Sequence, residues 1–192
     1  NKILIFLTLN LSFISAQING KSIAILDFNG NGINKMESIA LTNIFNDELN
    51  KTGTVFLVDR NIVKDDLSNQ GIEQIKCKNL ECISKAGASL NVELIIDGLI
   101  KKNKNSFSLE INVYKVSDAM KPLIVTSLVD GKVVVRKKIK EPKLIAMETK
   151  NINYKGTADG FIVEIKEMAW TLVSLKRPEE LVDKNQEIVT AE

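Results

Sequence analysis

The sequence of 192 residues contains no histidine, and it has only two cysteines. Without histidine the chain lacks the commonest general base of enzymes and a common ligand of zinc. We find neither a nucleophile elbow nor a Cys-x-x-Cys pair, so the usual signatures of hydrolases and of thiol redox proteins are missing. The formal net charge of +2 is too small to indicate nucleic-acid binding. The sequence therefore predicts no enzyme, no cofactor, no metal site and no nucleic-acid partner.

The start of the chain has the three parts of a secretory signal peptide. Lys2 supplies the positive charge, residues 3–11 the apolar core and Ala16 the small residue at the cleavage site. The alternative is a membrane anchor, but spanning the bilayer needs about 20 apolar residues and this run contains Asn10. No cysteine comes directly after the run to accept a lipid, because the first cysteine of the sequence is Cys77. We expect residues 1–16 to be a leader on a periplasmic chain, peripheral to the outer membrane at most, with no membrane span in the mature chain.

Side chains that cap helices mark several helix starts. Asn34 and Glu37 stand three apart, which is the spacing of a capping box. Asn79 and Thr157 are residue types that cap helix N-termini, and a further short helix is predicted over residues 61–69. The side chains expected to face the core are Met36, Ala40, Leu41, Ile44, Phe45 and Leu49 on the first helix, Ile62, Val63 and Leu67 on the second, Leu80, Ile83, Ala86 and Leu90 on the third, and Phe161, Ile165, Met168, Ala169 and Leu172 on the last.

Apolar runs and alternating patterns predict the strands. The predicted strands are residues 22–28, 54–58, 92–100 and 106–116, with a hairpin of residues 123–128 and 132–139 around Asp130-Gly131. Helices alternate with strands early and strands follow one another later. This order predicts an α/β fold, with helices packed on a mixed β-sheet in a three-layer-like arrangement, plus an antiparallel hairpin and a C-terminal helix. We predict a single domain over residues 17–175 and a disordered tail over residues 176–192.

This order of elements resembles a known periplasmic domain. The residues that carry the resemblance are the strand over 23–28 with its Gly/Asn turn, Val58-Asp59-Arg60, Cys77-x4-Cys82, Gly87, Leu90 and the strand over 94–98. Over residues 22–116 the chain is similar to the α/β domain shared by the CsgG-like curli-secretion family and the TolB amino-terminal domain. Residues 156–175 resemble the closing helix of that domain, whereas residues 119–154 depart from its pattern.

The resemblance implies a non-catalytic module of envelope assembly or secretion that acts by protein–protein interaction. Its partners would be other envelope proteins, with a homo-oligomer as one form of partnership. The family supplies no catalytic residues to place on this chain. The alternative functions are a small periplasmic ligand-binding domain and a hydrolase with an unrecognised site.

Cys77 and Cys82 are the only cysteines of a chain that we expect to be exported. An even number of cysteines in an oxidising compartment favours a disulfide between them. The alternatives are a redox pair, for which the spacing is wrong, and a metal site, for which two more ligands would be needed. We therefore predict a structural disulfide.

The segment from Asp27 to Ser38 contains the first half of a calcium-loop pattern. Its twelfth position is Ser38 where the pattern needs a bidentate Glu, and a strand precedes it where a helix is required. Gly30 and Gly32 also suggest a phosphate-binding loop. The third glycine of a dinucleotide-binding fingerprint is absent, however, and so is the Gly-Lys-Ser/Thr of a P-loop. We interpret the segment as a strand-to-helix turn.

Two further features could form an interaction surface. Arg136, Lys137 and Lys138 belong to a basic stretch that suits anionic lipid or an acidic partner, although charges on an edge strand also prevent aggregation. Trp170 lies off the main apolar face of the last helix. It is either an interface anchor or part of the core from a second side.

Overall fold

The computed structural model describes residues 18–116, 123–129, 132–138 and 143–181. The predicted leader, the Asp130-Gly131 turn and residues 182–192 lie outside these ranges. The helices are α1 (Lys35–Lys51), α2 (Arg60–Asn69), α3 (Leu80–Ser89) and α4 (Ala158–Leu172), with short 3₁₀ helices at Gln74–Lys76 and Glu179–Leu181; the strands are β1 (Ser22–Ile25), β2 (Asn29–Asn31), β3 (Phe56–Leu57), β4 (Leu94–Asn103), β5 (Ser106–Val116), β6 (Leu123–Val129), β7 (Lys132–Lys138) and β8 (Leu144–Lys155).

The central sheet is mixed, as predicted. Its strand order is β3-β1-β4-β5-β8, and β2 also pairs with β4. β1 runs parallel to both β3 and β4, whereas β4, β5 and β8 form an antiparallel meander. The predicted hairpin is present as a separate two-stranded antiparallel sheet of β6 and β7.

Helices cover the sheet on both faces, which confirms the three-layer arrangement. α1 and α4 pack on one face around a core that includes Phe45, Leu49 and Phe161. α2 and α3 pack on the other face around a smaller core that includes Leu67 and Ile83. Apolar residues from alternate positions of the strands supply the sheet side of both cores.

The capping box predicted at α1 is present. The Asn34 side chain accepts a hydrogen bond from the Glu37 N–H at 2.9 Å, and the Glu37 carboxylate accepts one from the Asn34 N–H at 3.1 Å. These bonds satisfy backbone groups that the first turn of a helix leaves without partners. The helix ends at Lys51, and Gly53 follows it with a φ of 63° that glycine adopts without strain.

The predicted inner face of α1 is partly wrong. Met36 is 74% exposed, and Ala40 is exposed as well. Ser38 and Thr42 are buried instead, because they bond to the backbone of Phe28: the Ser38 hydroxyl donates to the Phe28 carbonyl, and Thr42 Oγ1 accepts from the Phe28 N–H at 2.9 Å. Ile62 of α2 and Leu80 of α3, both predicted to face inward, are 53% and 59% exposed.

The Gly/Asn segment after β1 forms more regular structure than a turn. Asn29–Asn31 pairs in parallel with residues 99–101 of β4, because β4 is long enough to continue beyond its pairing with β1. The chain then turns at Gly32, where φ is 78° and an added Cβ would lie 2.1 Å from the Lys102 carbonyl oxygen. Only glycine fits this close approach of two backbones.

Residues 144–155, which we did not predict as a strand, form the longest strand of the sheet. β8 pairs with β5 along its whole length, with a bulge at Met147 where the register shifts. The second half of the chain therefore both extends the sheet through β8 and forms a separate hairpin.

Candidate interaction surface

Cys77 and Cys82 are joined by a disulfide in the structure, with 5.3 Å between their Cα atoms. The bridge links the end of the 3₁₀ helix to the first turn of α3, whose cap is the Asn79 side chain accepting from the Cys82 N–H at 2.8 Å. Cys77 is 1% exposed and belongs to the core beneath α2 and α3. This burial suits a structural bridge, since exchange requires access of an attacking thiolate.

Trp170 is buried, so the structure places it in the core and not on a surface. Its indole N–H donates to Glu48 Oε1 of α1 at 3.0 Å. Arg177 Nε donates to the same oxygen at 3.0 Å, and both side chains of that ion pair are 2% exposed. Arg177, which follows α4, therefore shares its buried acceptor with Trp170.

Glu48 is held in its charged form by this arrangement. Burial acts to raise the pKa of its carboxyl, but hydrogen bonds from Trp170 and Lys51 and the charge of Arg177 outweigh burial and lower the pKa. Lys51 Nζ lies 2.9 Å from Glu48 Oε2. The cluster joins α1, α4 and the segment after α4.

Arg136, Lys137 and Lys138 lie on β7, in register with Val125, Ile124 and Leu123 of β6. Trp170 lies in the core, so it does not share an exposed surface with these three residues. The basic stretch remains a predicted contact site for a partner.

A crevice of about 530 Å³ lies between α1 and α2, next to the carboxyl end of β1. The chain leaves β1 toward β3 on one side and returns to β4 on the other, and such switch points are common ligand sites in α/β proteins. Here the Arg60 guanidinium donates to the Asp27 carboxylate and to the Ile25 carbonyl. The Gln74 side chain accepts from the Asp27 N–H at 3.1 Å.

The ion pair with Arg60 occupies Asp27, which is the only carboxylate of the calcium-like pattern before Glu37. Within the described ranges, no group of three or more Cys, Asp or Glu side chains is placed to hold a metal ion. No nucleophile hydrogen-bonded to a base is found among the described residues that line the crevice. Asp27 and Arg60 fix the position of α2 against β1.

The face of the sheet on the α2/α3 side is covered only in part. Beyond those helices it carries a row of polar side chains from β5 and β8, and Thr149, Asn151 and Asn153 of β8 are exposed. Thr149 Oγ1 donates to Asn112 Oδ1 of β5 at 2.8 Å, so the two strands are linked by side chains as well as by their backbones. We call Ser108, Glu110, Asn112, Thr149, Asn151 and Asn153 the polar face.

Asp97 of β4 borders the polar face. Burial raises the pKa of its carboxyl above the usual value, an effect that the nearby Glu110 carboxylate increases and a hydrogen bond with Asn112 opposes. Its Oδ1 atom is buried without a hydrogen-bond partner. Burial also raises the pKa of Tyr114, and the charges of Asp97 and Glu110 add to that effect. Asp97 is thus a partly buried acid beside Glu110 at the margin of the polar face.

The outer edge of β8 is open in the part of the chain that the structure describes. β8 is the last strand of the sheet, and its only described strand partner is β5. An open edge presents unpaired N–H and C=O groups that can bind another strand. The sequence did indicate this strand. Asn151 and Asn153 alternate with Ile152 and Tyr154, which is the pattern of a half-buried strand.

No protein-family model matches the chain, and no curated protein matches it. Among solved structures, it is similar to the LpoB C-terminal domain from Escherichia coli, with 10% identity and a TM-score of 0.42, over 68% of this chain and 85% of that one. Lipoprotein GNA1162 from Neisseria meningitidis is similar with 6% identity and a TM-score of 0.45, over 74% of this chain and 91% of that one.

TolB from Acinetobacter baumannii is similar with 14% identity and a TM-score of 0.39, over 82% of this chain and 28% of TolB. TolB is one of the two proteins whose domain the sequence was found to resemble, and the CsgG-like part of that resemblance remains a prediction. Among the described helices, none combines the length and the apolar character needed to cross a membrane.

Proposed function

We propose that this chain is a non-catalytic module of the bacterial envelope that acts by protein–protein interaction, and that β8 with the polar face is the surface it uses. The observation that carries the proposal is the open edge of a twelve-residue strand beside exposed polar side chains. Strand addition at such an edge gives affinity through the backbone and specificity through alternate side chains.

The state of the acidic groups supports a non-catalytic role. Asp27 is bound to Arg60, and Glu48 is bound to Trp170, Lys51 and Arg177.

The disulfide supports an oxidising compartment, for which the periplasm is our proposal. We expect the leader to be removed, so that N-terminal sequencing of protein from whole cells begins near Gln17. We also expect gentle osmotic release to bring the mature protein into the periplasmic fraction. Uncleaved protein in the cytoplasm, or protein that stays in the membrane pellet through salt and alkaline washes, would contradict this assignment. We further propose that the module serves secretion, as the CsgG-like resemblance implies.

A photo-crosslinking experiment in cells tests the interaction surface. A photoreactive amino acid replaces Asn153 on the β8 edge, and the control replaces Asp66, which is exposed on α2. We expect specific crosslinked products from position 153 and none from position 66. Equal products from both positions, or none from position 153 at native expression levels, would remove the support for β8 as the interaction surface.

A further inference from the structure

The β8 edge has little of the protection that edge strands usually carry. Charges, prolines and bulges normally prevent pairing between edges. β8 contains no proline, and its bulge lies near the start, at Met147. Glu148 and Lys150 neutralise each other through an ion pair of 2.7 Å within the chain. From Glu148 to Lys155 the register with β5 is unbroken, so this run is a regular strand whose outer side can accept a partner.

We infer that the partner at this edge is a second copy of the chain, whose β8 pairs antiparallel to the first across a two-fold axis at Asn151. The inference deepens the proposed function and rests on it, since it names a partner for the same edge. Such a contact is isologous, which means that the same residues meet on both sides. It would join the two central sheets into one continuous sheet.

The side chains of β8 complement themselves in this register. Asn151 lies opposite the partner's Asn151, and Thr149 lies opposite the partner's Asn153, on the exposed polar face. An amide group both donates and accepts, so an Asn–Asn pair and two Thr–Asn pairs can all form hydrogen bonds. On the other face Lys150 lies opposite the partner's Ile152, and Glu148 opposite the partner's Tyr154. No two like charges are directly opposed.

Neighbouring registers are less favourable. Moving the axis to Lys150 sets that residue directly against its own copy, which opposes two positive charges. Moving it to Thr149 brings the bulge at Met147 into the paired segment. Moving it to Ile152 sets Thr149 against the partner's Lys155 and loses the Thr–Asn pairs. The axis at Asn151 leaves residues 148–154 of both copies regularly paired.

Two opposite substitutions at the axis test the inference. Asn151→Lys and Asn151→Asp each place like charges opposite one another in a homodimer, and we expect each variant to lower the dimer affinity by roughly fivefold. Mixing the two variants in equal amounts places Lys opposite Asp and should restore the dimer. Sedimentation over a range of concentrations measures the affinity, and native mass spectrometry identifies the mixed dimer. Asn151 is exposed but lies opposite Glu110 of β5 in its own chain, so we expect Asn151→Asp to lower the thermal stability of the monomer slightly and Asn151→Lys to preserve it. Thermal melting of both variants separates this effect from the loss of dimer affinity.

Asn153→Lys is the matched control, because Asn153 is equally exposed on the same face but lies opposite Thr149 of the partner. We expect a smaller loss of affinity than for Asn151→Lys. An equal or larger loss, or no recovery on mixing, would overturn the register at Asn151. A wild-type protein that stays monomeric at its highest soluble concentration would overturn self-pairing altogether. Crosslinks from position 153 to other proteins would in that case still support the proposed function.

Discussion

The two faces of the central sheet differ in how many partners their buried acidic side chains have. Beneath α1 and α4, Glu48 is almost fully buried, but Trp170, Lys51 and Arg177 all bond to it. On the α2/α3 side, Asp97 is partly buried with one carboxylate oxygen that has no partner. Partners lower the pKa of Glu48, whereas burial raises the pKa of Asp97.

One face of the sheet stabilises the fold, whereas the other offers a surface for binding. A buried charge is tolerated when the surrounding groups satisfy it, and removing one of its partners is then costly. The α1/α4 face has this character, and it is joined to the segment after α4 through Arg177. The opposite face is only partly covered and ends in an open strand. We therefore expect substitutions on the first face to affect folding and those at β8 to affect binding.

Removal of Arg177 should have the largest effect. Arg177→Ala leaves the Glu48 carboxylate buried with less of its compensating charge, and we expect a loss of about 3–5 kcal/mol in the free energy of unfolding. Urea denaturation measures the loss. The control is Lys51→Ala, whose side chain is 52% exposed and should cost at most about 1 kcal/mol. If the two variants lost equal stability, Arg177 would not be the partner on which the buried Glu48 carboxylate chiefly depends.

Loss of the disulfide should have an intermediate effect. Opening this short loop in Cys77→Ser/Cys82→Ser costs about 2 kcal/mol by the chain-entropy argument, and the fold should survive. Urea denaturation of the wild type with reductant is the matched control and should give the same stability as the double variant. Mass spectrometry without reductant should find the two cysteine peptides linked. Two freely alkylatable thiols in the native protein would contradict the structural bridge.

Replacement of Asp97 should stabilise the protein slightly, which is the opposite of the result at Arg177. The pKa of Asp97 is raised in the folded state. At a pH just above the usual aspartate pKa of about 4, the folded protein therefore binds more protons than the unfolded chain does. Its burial thus costs stability as the pH rises through that window, and the cost is fully present near neutral pH. Asp97→Asn should raise the melting temperature at about pH 7 and lose this advantage toward about pH 4. Asp65→Asn, at an exposed position of α2, is the control. A lower melting temperature at neutral pH would show that the Asp97 charge is satisfied.

Calcium should neither bind the protein nor change its stability, which is the smallest effect that we predict. Asp27 is bound to Arg60, and the pattern after it ends in Ser38 where a bidentate acid is needed. Calorimetry with millimolar calcium should show no heat of binding. Thermal stabilisation by calcium that disappears in Asp27→Ala would prove this prediction wrong.

Local patterns predicted the helix caps and most strands other than β8. The caps at Asn34, Asn79 and Thr157 are present, and residues 106–116 form the predicted strand. These predictions worked because a cap or an alternating strand depends on residues that are neighbours in the chain. The candidate surface was predicted less well, since Trp170 is buried and β8 was not identified.

Sequence alone determined the fold class, the positions of the helices and the cysteine pair, because each depends on short spacings or on residue type. Tertiary structure alone decided which polar groups are buried: Ser38 and Thr42 face inward because the Phe28 backbone needs partners, and Glu48 does because Arg177 reaches it from 129 residues away. It also made residues 144–155 the open edge of the sheet. A strand has an open edge only in relation to its neighbours, and those neighbours are set by contacts between distant parts of the chain.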